Sequence, residues 1–234
     1  MNGHNKLTLI GNLIADPVKK TYGAGKTLAE VTIAVNSGSK DKKASYIKCT
    51  MFAGLGDVAD KYLKKGASVL IDGRIRVNQY VNKNGEKRQA AELIVNDMTM
   101  LGDHSNAGEN TAMLAGNLVA NPEVTTLNSG LTKAKFRLAI NNGRNKTAPA
   151  DYIDVVFFDK IAENVQKLLT KGKSVYVIGR LDTRTYEKKD GTKGDAIEII
   201  GQRFQILGNK NGNKAPVAVN AVDTTEELDE IIPF

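Results

Sequence analysis

The chain has no tryptophan, one cysteine, two histidines and five prolines in 234 residues, and aromatic residues make up 6% of it. A lone Cys49 excludes an intramolecular disulfide and fits a reducing compartment, and its place in an alternating strand reads as a small core residue. His4, His104 and Cys49 are the soft metal ligands, and none has a partner at ligand spacing, so no metal or other cofactor is expected. Long apolar runs are also missing. No stretch approaches bilayer-spanning length, and residues 1–30 lack the uninterrupted apolar run of a secretory signal, so a soluble, cytoplasmic protein is expected. Gly23-Ala24-Gly25-Lys26-Thr27 looks like the end of a phosphate-binding loop, but Lys20 stands where the first glycine is required and no long helical pattern follows. A hairpin turn is the better reading. No His, Asp and Ser constellation recurs along the chain, and a protein without catalytic groups is expected.

What the chain does have is a copy of itself. Gly11-Asn12-Leu13 returns as Gly116-Asn117-Leu118, Pro17 as Pro122, Gly25 as Gly130 and Asn36 as Asn141, all at an offset of 105. After one inserted residue the offset is 106, pairing Tyr46 with Tyr152, Phe52 with Phe158, Lys65-Gly66 with Lys171-Gly172, Gly73-Arg74 with Gly179-Arg180 and Tyr80 with Tyr186. A register held over about 100 residues is a domain duplication, and each unit is large enough to bury its own core. The expected domains are residues 1–104 and 110–208, separated by the small and polar segment from Asp103 to Asn110, followed by a linker and tail over 209–234.

Charge is uneven along these parts. Residues 1–104 carry 16 Lys and Arg against 10 Asp and Glu, a net +6, and residues 105–208 carry 15 against 11, a net +4. The last twelve residues hold five acids and no base. A basic body with an acidic tip points to a polyanion for the body and a different partner for the tip.

Strand-like segments rich in Val, Ile, Thr and aromatics recur in one order in both halves. In the first they are Leu7–Leu13, Ala29–Asn36, Tyr46–Phe52, Ala67–Tyr80 and Ala90–Asn96. In the second they are Ala112–Leu118, Ala134–Asn141, Tyr152–Phe158, Ser174–Tyr186 and Ala196–Gly201. Between the third and fourth, Val58, Ala59, Tyr62 and Leu63 fall at helical spacing, as do Ile161, Ala162, Val165, Leu168 and Leu169, with Gly66 and Gly172 where a helix C-cap would want them. Asn84-Gly85 and Asp190-Gly191 fit hairpin turns, and Gly73 and Gly179 suit a bulge or sharp bend at a barrel corner. Five strands with a helix between the third and fourth describe the OB-fold barrel. The fold class expected is all-β, two tandem OB-folds with one short helix each and an acidic C-terminal tail.

The few aromatics sit beside bases. Tyr46 and Phe52 are six apart on one strand, and an even spacing puts them on one face, as it does Tyr152 and Phe158. Tyr80 lies among Arg74, Arg76 and Lys83, and Tyr186 among Arg180, Arg184 and Lys188. Lys42 and Lys43 belong to a basic connection between the second and third strands. Single-stranded nucleic acid is held this way, its bases stacked on rings and its phosphates tracked by a positive groove. Core packing is the rival role for Phe52 and Phe158, since Phe is often buried.

Leu228-Asp229-Glu230-Ile231-Ile232-Pro233-Phe234 follows a stretch of Asn, Lys, Gly, Pro and Ala that reads as a flexible linker. The acidic Ile-Pro-Phe ending, the two Gly-Asn-Leu motifs, Asp16-Pro17 and Tyr62-Leu63-Lys64-Lys65-Gly66 together resemble the bacterial single-stranded DNA-binding protein family, SSB. The resemblance implies OB-folds that wrap single-stranded DNA without chemistry during replication, recombination and repair, near the nucleoid. It further implies that Asp229, Glu230, Ile231, Ile232, Pro233 and above all Phe234 dock onto partner proteins. Typical members have one barrel per chain, tetramerise and carry Trp at stacking positions. Here Tyr46, Tyr80, Tyr152 and Tyr186 stand in those places, and weaker stacking per site is expected. A subset with tandem barrels forms homodimers, which is the assembly expected here. Two other readings remain open from the residues themselves: an adaptor whose barrels contact proteins, and an RNA-binding protein, because stacking does not distinguish the sugars.

Overall fold

The computed structural model describes residues 3–23, 25–36, 44–81, 87–102, 108–141, 149–187, 193–208 and 218–219. Among them the chain forms β1 (His4–Leu13), β2 (Val18–Tyr22), β3 (Lys26–Asn36), β4 (Ala44–Phe52), α1 (Ala53–Tyr62), β5 (Ser68–Val81) and β6 (Lys87–Gly102) from the first repeat. The second repeat yields β7 (Asn110–Leu118), β8 (Glu123–Thr126), β9 (Thr132–Ile140), β10 (Asp151–Phe158), α2 (Asp159–Leu168), β11 (Ser174–Glu187) and β12 (Lys193–Ile206), and β13 (Ala218–Val219) follows. By backbone proximity they fall into two compact units, one within Lys6–Thr111 and Thr183–Ala196, the other within Met1–Asn5, Ala112–Asp182 and Ile197–Phe234.

In the first unit β1 pairs antiparallel on both edges, with β3 at Asn12↔Ala34 and with β5 from Leu7↔Gly73 to Asn12↔Ser68. β3 pairs with β4, β4 runs parallel to β6, and β6 returns antiparallel to β5, closing five strands into a barrel. β2 takes the part of the β3 edge that β1 leaves open. The second unit repeats this circuit: β7 pairs with β9 and β11, β9 with β10, β10 parallel with β12, and β12 lies beside β11. These are two OB-fold barrels. β13 adds a short antiparallel pairing to β12 at Phe204↔Val219.

Alternation along each strand sends one side chain in and the next out. Leu7, Leu9, Val31, Ile33, Ile47, Cys49, Met51, Val69, Ile71 and Leu93 are buried in the first barrel. Leu114, Phe136, Leu138, Ile153, Val155, Phe157, Val177, Ile199 and Phe204 are buried in the second. There the Phe157 ring lies 6.0 Å from that of Phe136 and 5.6 Å from that of Phe204. Cys49 is wholly buried, and burial pushes its thiol pKa up. Among the described residues no helix is long and apolar enough to cross a membrane.

Several details differ from what the sequence led us to expect. β2 and β8 are additional strands. Most of their residues are exposed, so they carry no apolar alternation to announce them. β6 and β12 extend well beyond the predicted fifth strands. On α1 the buried residues are Gly56 and Ala59, with Leu63 just beyond, whereas Val58 and Tyr62 point to solvent. Gly56 is pressed against backbone, because a Cβ there would meet the Met51 carbonyl oxygen at 2.7 Å and the Ala29 nitrogen at 2.9 Å. Close approach therefore overrides apolar spacing on this helix.

Gly66 and Gly172 are not helix caps. The capping positions are Leu63 and Leu169 in extended conformation, and the glycines turn the chain afterwards with φ of 89° and 84°. Each donates its N–H to the end of its barrel's first strand, Gly66 to Leu13 O and Gly172 to Leu118 O, both at 2.8 Å. Beside them Asp16 Oδ1 accepts from the Lys65 N–H and Asn121 Oδ1 from the Lys171 N–H, again at 2.8 Å in both. The Gly-Asn-Leu, Asp16-Pro17 and Lys-Gly motifs are thus one structural clasp.

The register of β5 against β6 slips between Asp72 and Gly73, a bulge of the kind a barrel corner uses. A Cβ at Gly73 would come 2.5 Å from the carbonyl oxygen of Ile94. Gly73→Ala is therefore expected to destabilise the chain by about 1–3 kcal/mol, because the neighbour is backbone and cannot step aside. Urea denaturation of parent and variant checks this, and equal midpoints would show that the bulge relaxes freely.

Candidate nucleic-acid interface

Cross-strand partners point the same way, so the registers identify one outward face on each barrel. On the first, β4 presents Tyr46, Lys48, Thr50 and Phe52 opposite Ala34, Thr32, Glu30 and Leu28 of β3. Lys20 and Tyr22 of β2 flank that strip opposite Leu28 and Lys26. On its other side Thr50 neighbours Ile94 of β6, which stands opposite Arg74 of β5, and Arg76 stands opposite Glu92. The Thr50 hydroxyl donates to Glu92 Oε2 at 2.8 Å.

Tyr46 is 61% exposed. Phe52 is half-buried on the outer face, with the Tyr22 ring edge-on at 5.3 Å, so it is not part of the barrel core. Arg76 is exposed and Arg74 half-buried. Glu30 accepts ion pairs from Lys20 at 2.6 Å and Lys48 at 3.1 Å. Partial burial alone would raise the Glu30 pKa, but the hydrogen bonds from these two lysines outweigh it and hold the carboxyl below its usual range.

The second barrel builds the same face from different charges. Tyr152, Asp154, Val156 and Phe158 of β10 lie opposite Ala139, Arg137, Lys135 and Lys133 of β9. Tyr152 is 41% exposed and Phe158 half-buried. The acid has moved from β3 in one barrel to β10 in the other. Asp154 binds Arg137 at 2.6 Å and Lys135 at 2.9 Å. Burial again works to raise its pKa, and again the Arg137 and Lys135 hydrogen bonds prevail and lower it. Lys133 stands over the Phe158 ring, its Nζ 6.0 Å from the centroid.

Of the remaining candidates, Arg180 is half-buried on β11. Tyr80 lies on β5, and Arg184 and Tyr186 on β11, but for these only the backbone is described. Lys42, Lys43, Lys188, Asp229, Glu230, Ile231, Ile232, Pro233 and Phe234 lie outside the described residues, as do both predicted hairpin turns, Asn84-Gly85 and Asp190-Gly191. Lys20, Lys48, Lys133, Lys135 and Arg137 join the face without having been singled out from sequence, and so does Tyr22, which marks an asymmetry in the sequence because the second repeat has Leu127 in its place. For Lys133, Lys135 and Arg137 the signal was present: on β9 charged residues alternate with buried apolar ones, which marks an outward row. Among the described residues no group of three or more His, Cys, Asp or Glu could hold a metal ion.

The model of the Single-strand binding protein family matches residues 4–101 and 109–207, one match per barrel. The chain belongs to that family. Among its relatives, "Single-stranded DNA-binding protein 1" of Staphylococcus aureus strain Mu50 is 41% identical over 107 residues, covering 44% of this chain and 69% of the relative. "Single-stranded DNA-binding protein 2" of Staphylococcus aureus strain COL is 35% identical over 137 residues, covering 53% of this chain and 99% of the relative. The wild-type single-stranded DNA binding protein of Thermus aquaticus has a crystal structure similar over 92% of this chain and 98% of its own. Its TM-score is 0.74 at 20% identity, a likeness of fold.

Because Glu30 and Asp154 are held below their ordinary pKa in the folded chain, protonating them opposes folding. Their contribution is whole above the unfolded carboxyl value of about 4 and is lost as pH falls through the lower folded one. The stability of a Glu30→Gln/Asp154→Asn variant is expected to change less than the parent's between about pH 5 and pH 3, measured by urea midpoints; parallel profiles would show that these pairs contribute nothing.

Proposed function

We propose that the chain binds single-stranded DNA without regard to sequence, as a non-enzymatic coat that protects it in replication, recombination and repair. The observation that carries this reading is Tyr46 and Tyr152. They are tyrosines open to solvent at matching places on two barrels, each on a strand that also presents Phe52 or Phe158 on the same face and each backed by Lys and Arg side chains. A ring held out from a rigid strand is a stacking platform, and every base offers it a π-face, so no sequence preference arises. Arg76, with the lysines and arginines of the face, supplies the attraction for phosphates. Tyr80 and Tyr186, on the long strands β5 and β11, extend the platform in this reading, and Lys42 and Lys43, which fall in sequence between β3 and β4, add positive charge.

Two chains form a homodimer, giving four barrels per particle, and the acidic segment with Asp229, Glu230, Ile231, Ile232, Pro233 and Phe234 recruits replication, recombination and repair proteins. Support for the second role is the chemistry of that segment: an apolar Ile-Ile-Pro-Phe group beside carboxylates, which suits a hydrophobic pocket rimmed by bases. The place of action is the nucleoid of the cytoplasm.

The test is titration of labelled oligo(dT) with parent and with Tyr46→Ala/Tyr152→Ala. Loss of stacking at about 1–3 kcal/mol per base should weaken binding by about tenfold or more with little change in melting temperature, while duplex of equal length stays unbound. An unchanged affinity would sink the assignment, and equal competition by a matched RNA oligomer would move it to RNA. Light scattering of the purified chain should return the mass of two chains; a monomer would remove the four-barrel particle.

A further inference from the structure

The two faces differ most at one shared place, the ring at the end of the third barrel strand. In the first barrel Phe52 meets another ring, that of Tyr22, edge-on at 78°. In the second, Phe158 stands directly opposite Lys133 in the register of β10 and β9, and the ammonium group lies over its ring. The exchange is reciprocal: Leu127 occupies the position matching Tyr22, and Leu28 the position matching Lys133.

The surrounding charges sharpen the difference. Lys135 and Arg137 are both held by Asp154, whereas Lys133 has no ion pair among the described residues. In the first barrel Lys20 and Lys48, the lysines flanking Phe52 on the outer face, are both held by Glu30, and Lys26 lies further out at the hairpin, opposite Tyr22. Phe52 therefore has a ring for its neighbour and Phe158 a cation that no carboxylate among the described residues has claimed.

Resting on the reading of both faces as a single-strand site, we infer that the barrels grip the strand by different physics at this matched place. Tyr22 adds a stacking contact beside Phe52, and Lys133 adds a phosphate contact beside Phe158. An edge-on pair occupies at most one face of one ring, so the Tyr22 and Phe52 rings keep faces for bases. A lysine lying on an aromatic ring exchanges that weak contact for a phosphate when a base arrives, releasing a counterion as it does so. The first barrel's extra grip is then indifferent to salt, and the second barrel's is salt-dependent.

The experiment gives each barrel the residue its twin already carries, Tyr22→Leu and Lys133→Leu, with Tyr22→Phe and Lys133→Arg as conservative partners. Leucine folds at both matching positions in the other repeat, and melting of each variant confirms that the barrels are intact. Oligo(dT) affinity is measured from low to high salt. Tyr22→Leu should weaken binding about tenfold at every salt concentration with the log–log slope unchanged, and Tyr22→Phe should stay within about twofold of the parent. Lys133→Leu should reduce the slope by about 0.7, one phosphate, so that its deficit shrinks as salt rises, and Lys133→Arg should retain the parent slope. A parent that binds oligo(dT) while Tyr22→Leu stays within twofold of it, or while Lys133→Leu keeps the parent slope, overturns this inference and leaves the single-strand reading standing. A parent that fails to bind overturns both.

Discussion

Each barrel depends on its first strand being paired along both edges. At Asn12 the chain answers Ala34 on one side and Ser68 on the other, and at Asn117 it answers Ala139 and Ser174. Closing a small sheet on itself forces backbones together, and Gly11 and Gly116 accept the crowding: a Cβ on either would lie 2.6 Å from the carbonyl oxygen of Ala34 or Ala139. Once the ring is closed every second residue of its strands is committed to the interior, and β2 and β8 are left as short, exposed edges. The outward residues are then released from packing. Tyr46 and Tyr152 can stand open to solvent because Ile47 and Ile153, their neighbours in sequence, do the work of the core.

This separation explains which parts could be read from the chain. The duplication, the fold class, and the place of each helix followed from a repeating register and from alternation that burial enforces. Tyr46 and Phe52 share a face because their spacing is even, a property of any strand. The turn at Gly23–Thr27 was legible from its glycines, but the edge strand before it escaped notice, since Val18-Lys19-Lys20-Thr21-Tyr22 has no buried side to impose a pattern. The clasp glycines were misplaced by a few residues because a left-handed turn and a helix cap ask for the same amino acid. Charged partners such as Lys20, Glu30 and Lys48 are distant in sequence and meet only through the β2–β3–β4 register, which no local signal discloses.

Duplication freed the two faces to diverge while the circuit of paired strands stayed the same. Glu30 collects two lysines in one barrel and Asp154 collects a lysine and an arginine in the other, from opposite strands. The arrangement keeps a carboxylate in the middle of each basic face, fixing the long side chains around it instead of leaving them to wander. Surface ion pairs of this sort contribute little to stability, so their value on such a face is positional. The rows of charge and the rings beside them are held at spacings set by the sheet, about 4.8 Å between strands and about 6.8 Å between alternate residues.

Cys49 also separates the twins. It is the one thiol in the chain, it is sealed inside the first barrel with its proton held by burial, and Val155 takes its matching place in the second. A thiol reagent in solution can reach it only when that barrel opens. The rate at which the chain takes up such a label is therefore a clock for one barrel alone, running at the frequency with which the β4 wall parts from its neighbours and blind to any opening of the other.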